Sequence, residues 1–137
     1  MNDVKRSQRR PVGQGGFTLI ELLIVLAVFG VVAAMAIPLY ANAEARDRIE
    51  KAQSDLEMLA MAVMTYKAHM GTLPEAMTAL TATATNRLNW SAGPFMPRVP
   101  NPPRGGTPAW GAYTYTSSTA GTFSITASGD GTTITVP

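Results

Sequence analysis

Gly15-Gly16-Phe17-Thr18-Leu19-Ile20-Glu21, followed by an uncharged apolar run from Leu22 to Tyr40, decides how this chain is read. The run is 19 residues long. As a helix rising 1.5 Å per residue it covers roughly 28 Å, close to the ~30 Å hydrocarbon core of a bilayer. Glu21 stands at its entrance. A carboxylate inside a membrane helix costs on the order of 2.5–3.5 kcal/mol on insertion scales, so the acid marks a functional position and asks for a partner. The uncut chain has no cation at that depth. Cleavage after Gly16 would create one, the α-amine of Phe17, four residues from Glu21.

Composition divides the chain at the same place. The first 16 residues carry Lys5, Arg6, Arg9 and Arg10 against Asp3, a net of +3, whereas the remainder carries a net of −1. The basic character therefore belongs to the leader and is no argument for nucleic acid. A basic segment ahead of an apolar helix keeps the N-terminus cytoplasmic and sends the residues after Tyr40 across the membrane. The 137 residues suffice for one membrane segment and one small domain. With no cysteine, the chain has no disulfide, thiolate metal site or cysteine nucleophile. Ala34-Met35-Ala36 offers a competing cut of the ordinary secretory kind. That cut would discard the apolar run and leave Glu21 and the Gly-Phe junction unexplained.

Gly16-Phe17-Thr18-Leu19-Ile20-Glu21 with a long apolar helix behind it resembles the class III signal of type IV pilins and type II secretion pseudopilins. The resemblance is strong from Lys5 to about Met70. It implies a prepilin peptidase that cuts between Gly16 and Phe17 and methylates the new amine of Phe17. It implies that Glu21 pairs with the N-terminus of a neighbouring subunit during filament assembly. It also implies that Gly30 and Pro38 bound a segment able to lose helical structure in a filament. The residues themselves give a weaker statement. Pro38 removes an N–H and crowds the carbonyl four residues earlier, so a kink near Ala34 is expected, and Gly30 loosens the same region.

Beyond Tyr40 the pattern turns amphipathic. Ile49, Ala52, Leu56, Leu59, Val63, Tyr66 and Met70 alternate steps of three and four, one apolar seam along a helix. Glu44–Arg48 and Asp47–Lys51 are acid-to-base pairs at i,i+4, and Asp55 falls with the charged residues on the other faces. Met58, Met61 and Met64 lie off the seam, and core filler is preferred to subunit contact for them. Gly71 with Pro74 beyond it predicts the helix end. Thr72–Asn89 reads as a short second helix or loop, with Leu73, Met77 and Leu80 as its apolar face. The run Gly93-Pro94-Phe95-Met96-Pro97-Arg98-Val99-Pro100-Asn101-Pro102-Pro103 excludes regular helix and central strand. Trp90, Phe95 and Trp110 would anchor it as an ordered loop. This stretch is loosely similar to the loop ahead of the strands in G-type major pseudopilins. Residues 112–116, 122–127 and 132–136 alternate as strands, separated by turns at Thr119-Ala120-Gly121 and Ser128-Gly129-Asp130-Gly131.

The expected fold is α+β and type IV pilin-like: one long N-terminal helix packed on a small antiparallel sheet of about three strands. The expected organisation is a leader, 1–16, that is removed; a transmembrane and assembly helix, 17–40; an amphipathic continuation, 41–71; and a head, 72–137, with a proline-rich loop at 93–108.

Sites of chemistry are sparse. His69 is the only histidine and falls near the end of the long helix. No triad spacing, P-loop or H-E-x-x-H occurs, and an enzyme is not expected. Resemblance to G-type pseudopilins raises calcium in the C-terminal loops, but Asp130 is the only acid beyond Glu75. One acid with carbonyls is a poor hard-cation cage, so no metal or other cofactor is expected. Trp90, Trp110, Arg87, Arg98 and Arg104 would suit stacking and phosphate contacts with DNA, although core packing explains the tryptophans more plainly. The resemblance implies a structural filament subunit anchored once in the bacterial inner membrane, its C-terminal domain outside the cytoplasm, later extracted into a filament. Its partners would be copies of itself, other pilins or pseudopilins, the prepilin peptidase and an inner-membrane assembly platform. A pseudopilin of type II secretion is the favoured role, with a type IV pilus pilin in adhesion, motility or DNA uptake as the alternative.

Overall fold

Thr18 sets the start of the first helix. Its Oγ1 accepts the Glu21 N–H at 3.3 Å and its carbonyl accepts the same N–H at 3.1 Å. Thr18-Leu19-Ile20-Glu21 thus has the spacing of a capping box, with the threonine at the cap and the acid three residues on. The computed structural model describes residues 16–137, so the proposed leader, apart from Gly16, lies outside the described residues.

Helix α1 runs Leu19–Met70 and contains both Gly30 and Pro38 without interruption. It ends as expected: Gly71 takes a φ of +77° and its N–H donates to the Lys67 carbonyl at 2.8 Å, closing the last turn. The chain divides into two compact units, one up to Leu39 and the other Tyr40–Pro137. In the first unit the apolar side chains are exposed, and one 18-residue window reaches a mean hydropathy of 2.8 with none of it buried.

The second unit is α+β. The seam of α1 forms one wall of its core: Ala52, Leu56, Leu59 and Val63 are fully buried, with Ile49 and Tyr66 packed at the edges. Burying each leucine is worth about 1.5–3 kcal/mol relative to exposure. Strands β3 (Thr114–Ser117), β4 (Phe123–Gly129) and β5 (Thr132–Val136) make an antiparallel sheet in that order. Ile125, Ala127 and Gly129 on β4 are buried, as the period of two requires for one covered face. On the other face the hydroxyls of Thr126 and Thr135 meet at 3.2 Å. Asp130 and Gly131, both at positive φ, form the two-residue turn between β4 and β5. A Cβ on Gly129 would sit inside the ring of Trp110, so glycine is required there.

Several expectations are corrected. Met58, Met61 and Met64 are not core filler but exposed, because the single three-stranded sheet covers only the seam face of α1. The second helix is one 3-10 turn, Met77–Thr81, whose preceding residue Ala76 supplies no side-chain cap. Leu80 is fully buried, and Leu73 and Met77 pack beside it. Within 72–92 a two-stranded ladder pairs β1 (Ala84–Thr85) with β2 (Ser91–Ala92), which the threonine–alanine run did not announce. Trp110 joins the core, but Trp90 does not and is 74% exposed. The proline-rich loop is ordered as expected: Phe95 and Met96 N–H groups both donate to the Leu80 carbonyl, and the Phe95 ring meets Tyr66 edge-on at 5.1 Å.

Candidate functional site

The N-terminal residues singled out by sequence lie together at the start of α1. Gly16 and Phe17 precede the helix, and Phe17 is 76% exposed. Glu21 lies in the first helical turn, where the macrodipole favours an acid. Among the described residues the three ion pairs all lie in the Tyr40–Pro137 unit, so none uses Glu21. Nothing stands within 4 Å of where a Cβ on Gly30 would be. Thr18 is the residue that sequence reasoning passed over, although threonine three residues before a glutamate is the signal that finds it. The arrangement places the Gly16-Phe17 junction and the Glu21 carboxylate at the head of a helix whose apolar side chains are exposed among the described residues.

The second unit holds a polar cluster that the sequence pairing did not anticipate. Arg48 reaches past its i,i+4 partner: it stands 3.8 Å from Glu44 but binds Asp130 with Nε at 2.7 Å and Nη2 at 3.1 Å. Trp110 Nε1–H donates to the same carboxylate at 2.9 Å and the Thr107 N–H at 3.1 Å. Four donors on two oxygens fill the carboxylate's acceptor sites. The hydrogen bonds from Arg48 and then Trp110 hold Asp130 well below the usual carboxylate range, against the upward push of burial. The same bond raises Arg48 above its ordinary value. Gly106 lies close enough that a Cβ would strike this carboxylate at 2.7 Å. The cluster therefore ties α1, the loop at 105–111 and the β4–β5 turn together. It leaves the lone acid of the C-terminal loops with no free site for a cation. Among the described residues no three acid or histidine side chains converge.

A second correction concerns Asp55, which sits buried rather than on an outer face. Its carboxylate accepts from the Tyr113 hydroxyl at 2.6 Å and from Lys51, which pairs here rather than with Asp47 and also donates to the Asn101 carbonyl. Burial, then the bond to Asp55, pushes the Tyr113 hydroxyl well above the ordinary phenol range. Neither cluster carries a free nucleophile or base. His69 binds the Thr65 carbonyl through Nδ1 and lies edge-on to Phe95 at 5.9 Å. Burial of Trp110 takes one of the two tryptophans out of any stacking surface for nucleic acid.

Comparison with known proteins gives the same division of the chain. Residues 12–37 match the prokaryotic N-terminal methylation motif. Residues 40–134 match the family model of type II secretion system protein G. The type IV major fimbrial protein FimA of Dichelobacter nodosus is 46% identical over 52 residues, 38% of this chain and 33% of the relative. A fimbrial protein of Pseudomonas aeruginosa is 50% identical over 46 residues, 34% of this chain and 30% of its own length. The type II secretion system core protein G of Pectobacterium carotovorum subsp. carotovorum is 34% identical over 99 residues, 67% of this chain and 63% of the relative. The chain thus spans about a third of the length of the fimbrial relatives and under two thirds of that protein G. No solved structure matches. With the methylation motif reaching into the apolar part of α1 and the protein G match over nearly the whole Tyr40–Pro137 unit, the chain belongs to the type II secretion system protein G family.

Proposed function

We propose that this protein is a structural subunit of a pilus-like filament, working as a pseudopilin in protein export. The observation that carries the reading is the start of α1: a Gly16-Phe17 junction and Glu21 at the head of an apolar helix with no cover of its own. In this reading the helix first lodges in the inner membrane as a single pass, the C-terminal domain outside the cytoplasm. A prepilin peptidase cuts after Gly16 and methylates Phe17. Assembly then draws the helix out of lipid into a bundle of its neighbours, so that burial against protein replaces burial against acyl chains. Glu21 pairs with the Phe17 amine of the adjacent copy, and the loss of solvation of both charges makes their register costly to miss. Gly30 and Pro38 lend the helix the freedom to adjust as it enters the bundle. The role is structural rather than catalytic.

The protein G match over residues 40–134 favours secretion over a type IV pilus. A pilus pilin is the second reading, supported by the fimbrial relatives, whose similarity is confined to 34–45% of this chain. Intact-mass and N-terminal peptide analysis of membrane and sheared-filament fractions tests the proposal. The expected product starts at a methylated Phe17. A mature N-terminus at Ile37 would mean that the apolar run is a discarded secretory signal, and the filament reading would fall.

A further inference from the structure

Two surface features of the Tyr40–Pro137 unit present side chains to solvent that its own core does not use. The first is the β1–β2 turn. Asn86 fixes it: its N–H donates to the Trp90 carbonyl at 2.9 Å, and its Oδ1 accepts the N–H groups of Leu88 and Trp90 at 2.9 and 3.0 Å. The Asn86 Nδ2 donates to the His69 carbonyl at 3.1 Å, pinning the turn to the C-terminal end of α1. Yet the side chains that this turn holds out, Leu88 and Trp90, are 77% and 74% exposed. A rigid backbone presenting a leucine and a tryptophan to water is a preorganised anchor, since little entropy remains to be lost on binding.

The second feature is a groove of about 640 Å³ between α1 and the proline-rich loop. Met58 and the prolines of 97–103 give it apolar walls. Arg98 and Arg104 supply cations suited to the face of an indole, and Asp47, which makes no ion pair among the described residues, stands ready for an arginine. The turn carries that arginine, Arg87, between Asn86 and Leu88.

We propose that the Leu88–Trp90 turn of one copy seats in the groove of the next, with Arg87 meeting Asp47 and Trp90 lying among the prolines and arginines. The inference rests on the filament reading above. Turn and groove are different surfaces, so the contact is heterologous and repeats without closing. His69, beside the turn, lies about 16–33 Å along α1 from the groove residues Asp47 to Met58. Successive copies in parallel orientation are therefore staggered along the helix by about that distance. One tryptophan buries about 150–250 Å². A stable interface needs roughly 1,200 Å², so the contact acts only where the apolar helices already hold copies together.

The chain contains no cysteine, which makes disulfide trapping specific. Full-length chains carrying Arg87→Cys, Asp47→Cys or both would be oxidised mildly in membranes and in sheared filaments. The double variant should give a ladder of dimers, trimers and longer adducts, and neither single variant should dimerise. Adding Trp90→Ala to the double variant should cut the ladder by about thirtyfold, the loss of one interface hot spot; Trp90 is exposed, so the melting temperature should not move. A dimer from either single variant, an adduct with a different polypeptide, or no adduct would overturn the proposal. Filaments without a ladder would overturn this contact alone. A ladder in membranes without any sheared filament would overturn the filament reading and leave the contact standing, and loss of both would remove both.

Discussion

Replacing Glu21 by glutamine separates two roles that alanine would confound. In the structure Glu21 occupies the third position after the Thr18 cap, and its N–H is bonded by Thr18 Oγ1 at 3.3 Å. Glutamine serves a capping box as glutamate does. What it loses is the charge. Against the helix macrodipole alone that loss is worth about 0.3–1 kcal/mol. Against a desolvated amine left without its partner it is worth about 3–5 kcal/mol. At about 1.4 kcal/mol per decade the first case lowers assembly by about fivefold at most, and the second by a hundredfold or more. Thr18→Ala is the complementary change, costing about 1 kcal/mol of cap and no charge. The measurement is sheared-filament yield against processed protein in the membrane. We expect Glu21→Gln to be inserted and cut normally but to fall by at least a hundredfold in filaments, with Thr18→Ala close to wild type. Filaments of Glu21→Gln within fivefold of wild type would refute the charge pairing and leave Glu21 only its favourable place in the first helical turn.

Leu56 is fully buried on the α1 seam, so Leu56→Ala should cost about 2–5 kcal/mol and lower the melting temperature of the Tyr40–Pro137 unit by about 10 °C or more, read by the fluorescence of Trp110 in detergent-solubilised protein. Tyr113→Phe removes one donor from Asp55 and leaves Lys51 in place, so it should cost about 1–2 kcal/mol in the same melt, at the low end for a bond to a charged group. Asp130 is held below its unfolded pKa, so it binds fewer protons folded than unfolded. Its stabilisation is therefore complete above about pH 4 and lost as the pH falls further. Asp130→Asn should lower the melting temperature at pH 7 and flatten its fall below pH 4, whereas a fall as steep as that of the wild type would place the acid-labile group elsewhere. Micromolar calcium should leave the wild-type melting temperature unchanged, because Arg48 and Trp110 already occupy the Asp130 oxygens; a rise of many degrees would reveal a site that displaces them.

Local rules were enough for the long helix and the three C-terminal strands. The seam from Ile49 to Met70 could be read because a helix repeats every 3.6 residues and only one face can be covered. The three C-terminal strands could be read because alternation and glycine turns are properties of neighbours in sequence. The Gly16-Phe17 junction and Glu21 needed no tertiary structure either, since an acid at the mouth of a 19-residue apolar run is anomalous wherever the chain goes. The partners of charges and aromatics were a different matter. Arg48 has an acid four residues away, yet its stronger partner is Asp130, 82 residues on, because the β4–β5 turn brings a half-buried carboxylate within reach of a planar fork. Asp55 has the charged pattern of its neighbours and is nevertheless buried, because Tyr113 and Lys51 satisfy it. Trp90 and Trp110 are alike by residue type, but one fills the core against Gly129 and the other projects from a turn held by Asn86. The long helix, its apolar surface and the three C-terminal strands were legible in the chain, since they depend on periodicity and on the conformations single residues allow, whereas the two-residue strands β1 and β2 are too short to carry a period. Which side chains meet was settled by folding, because packing one three-stranded sheet on one helix covers a single face and leaves every other polar or aromatic group to find its partner across the chain.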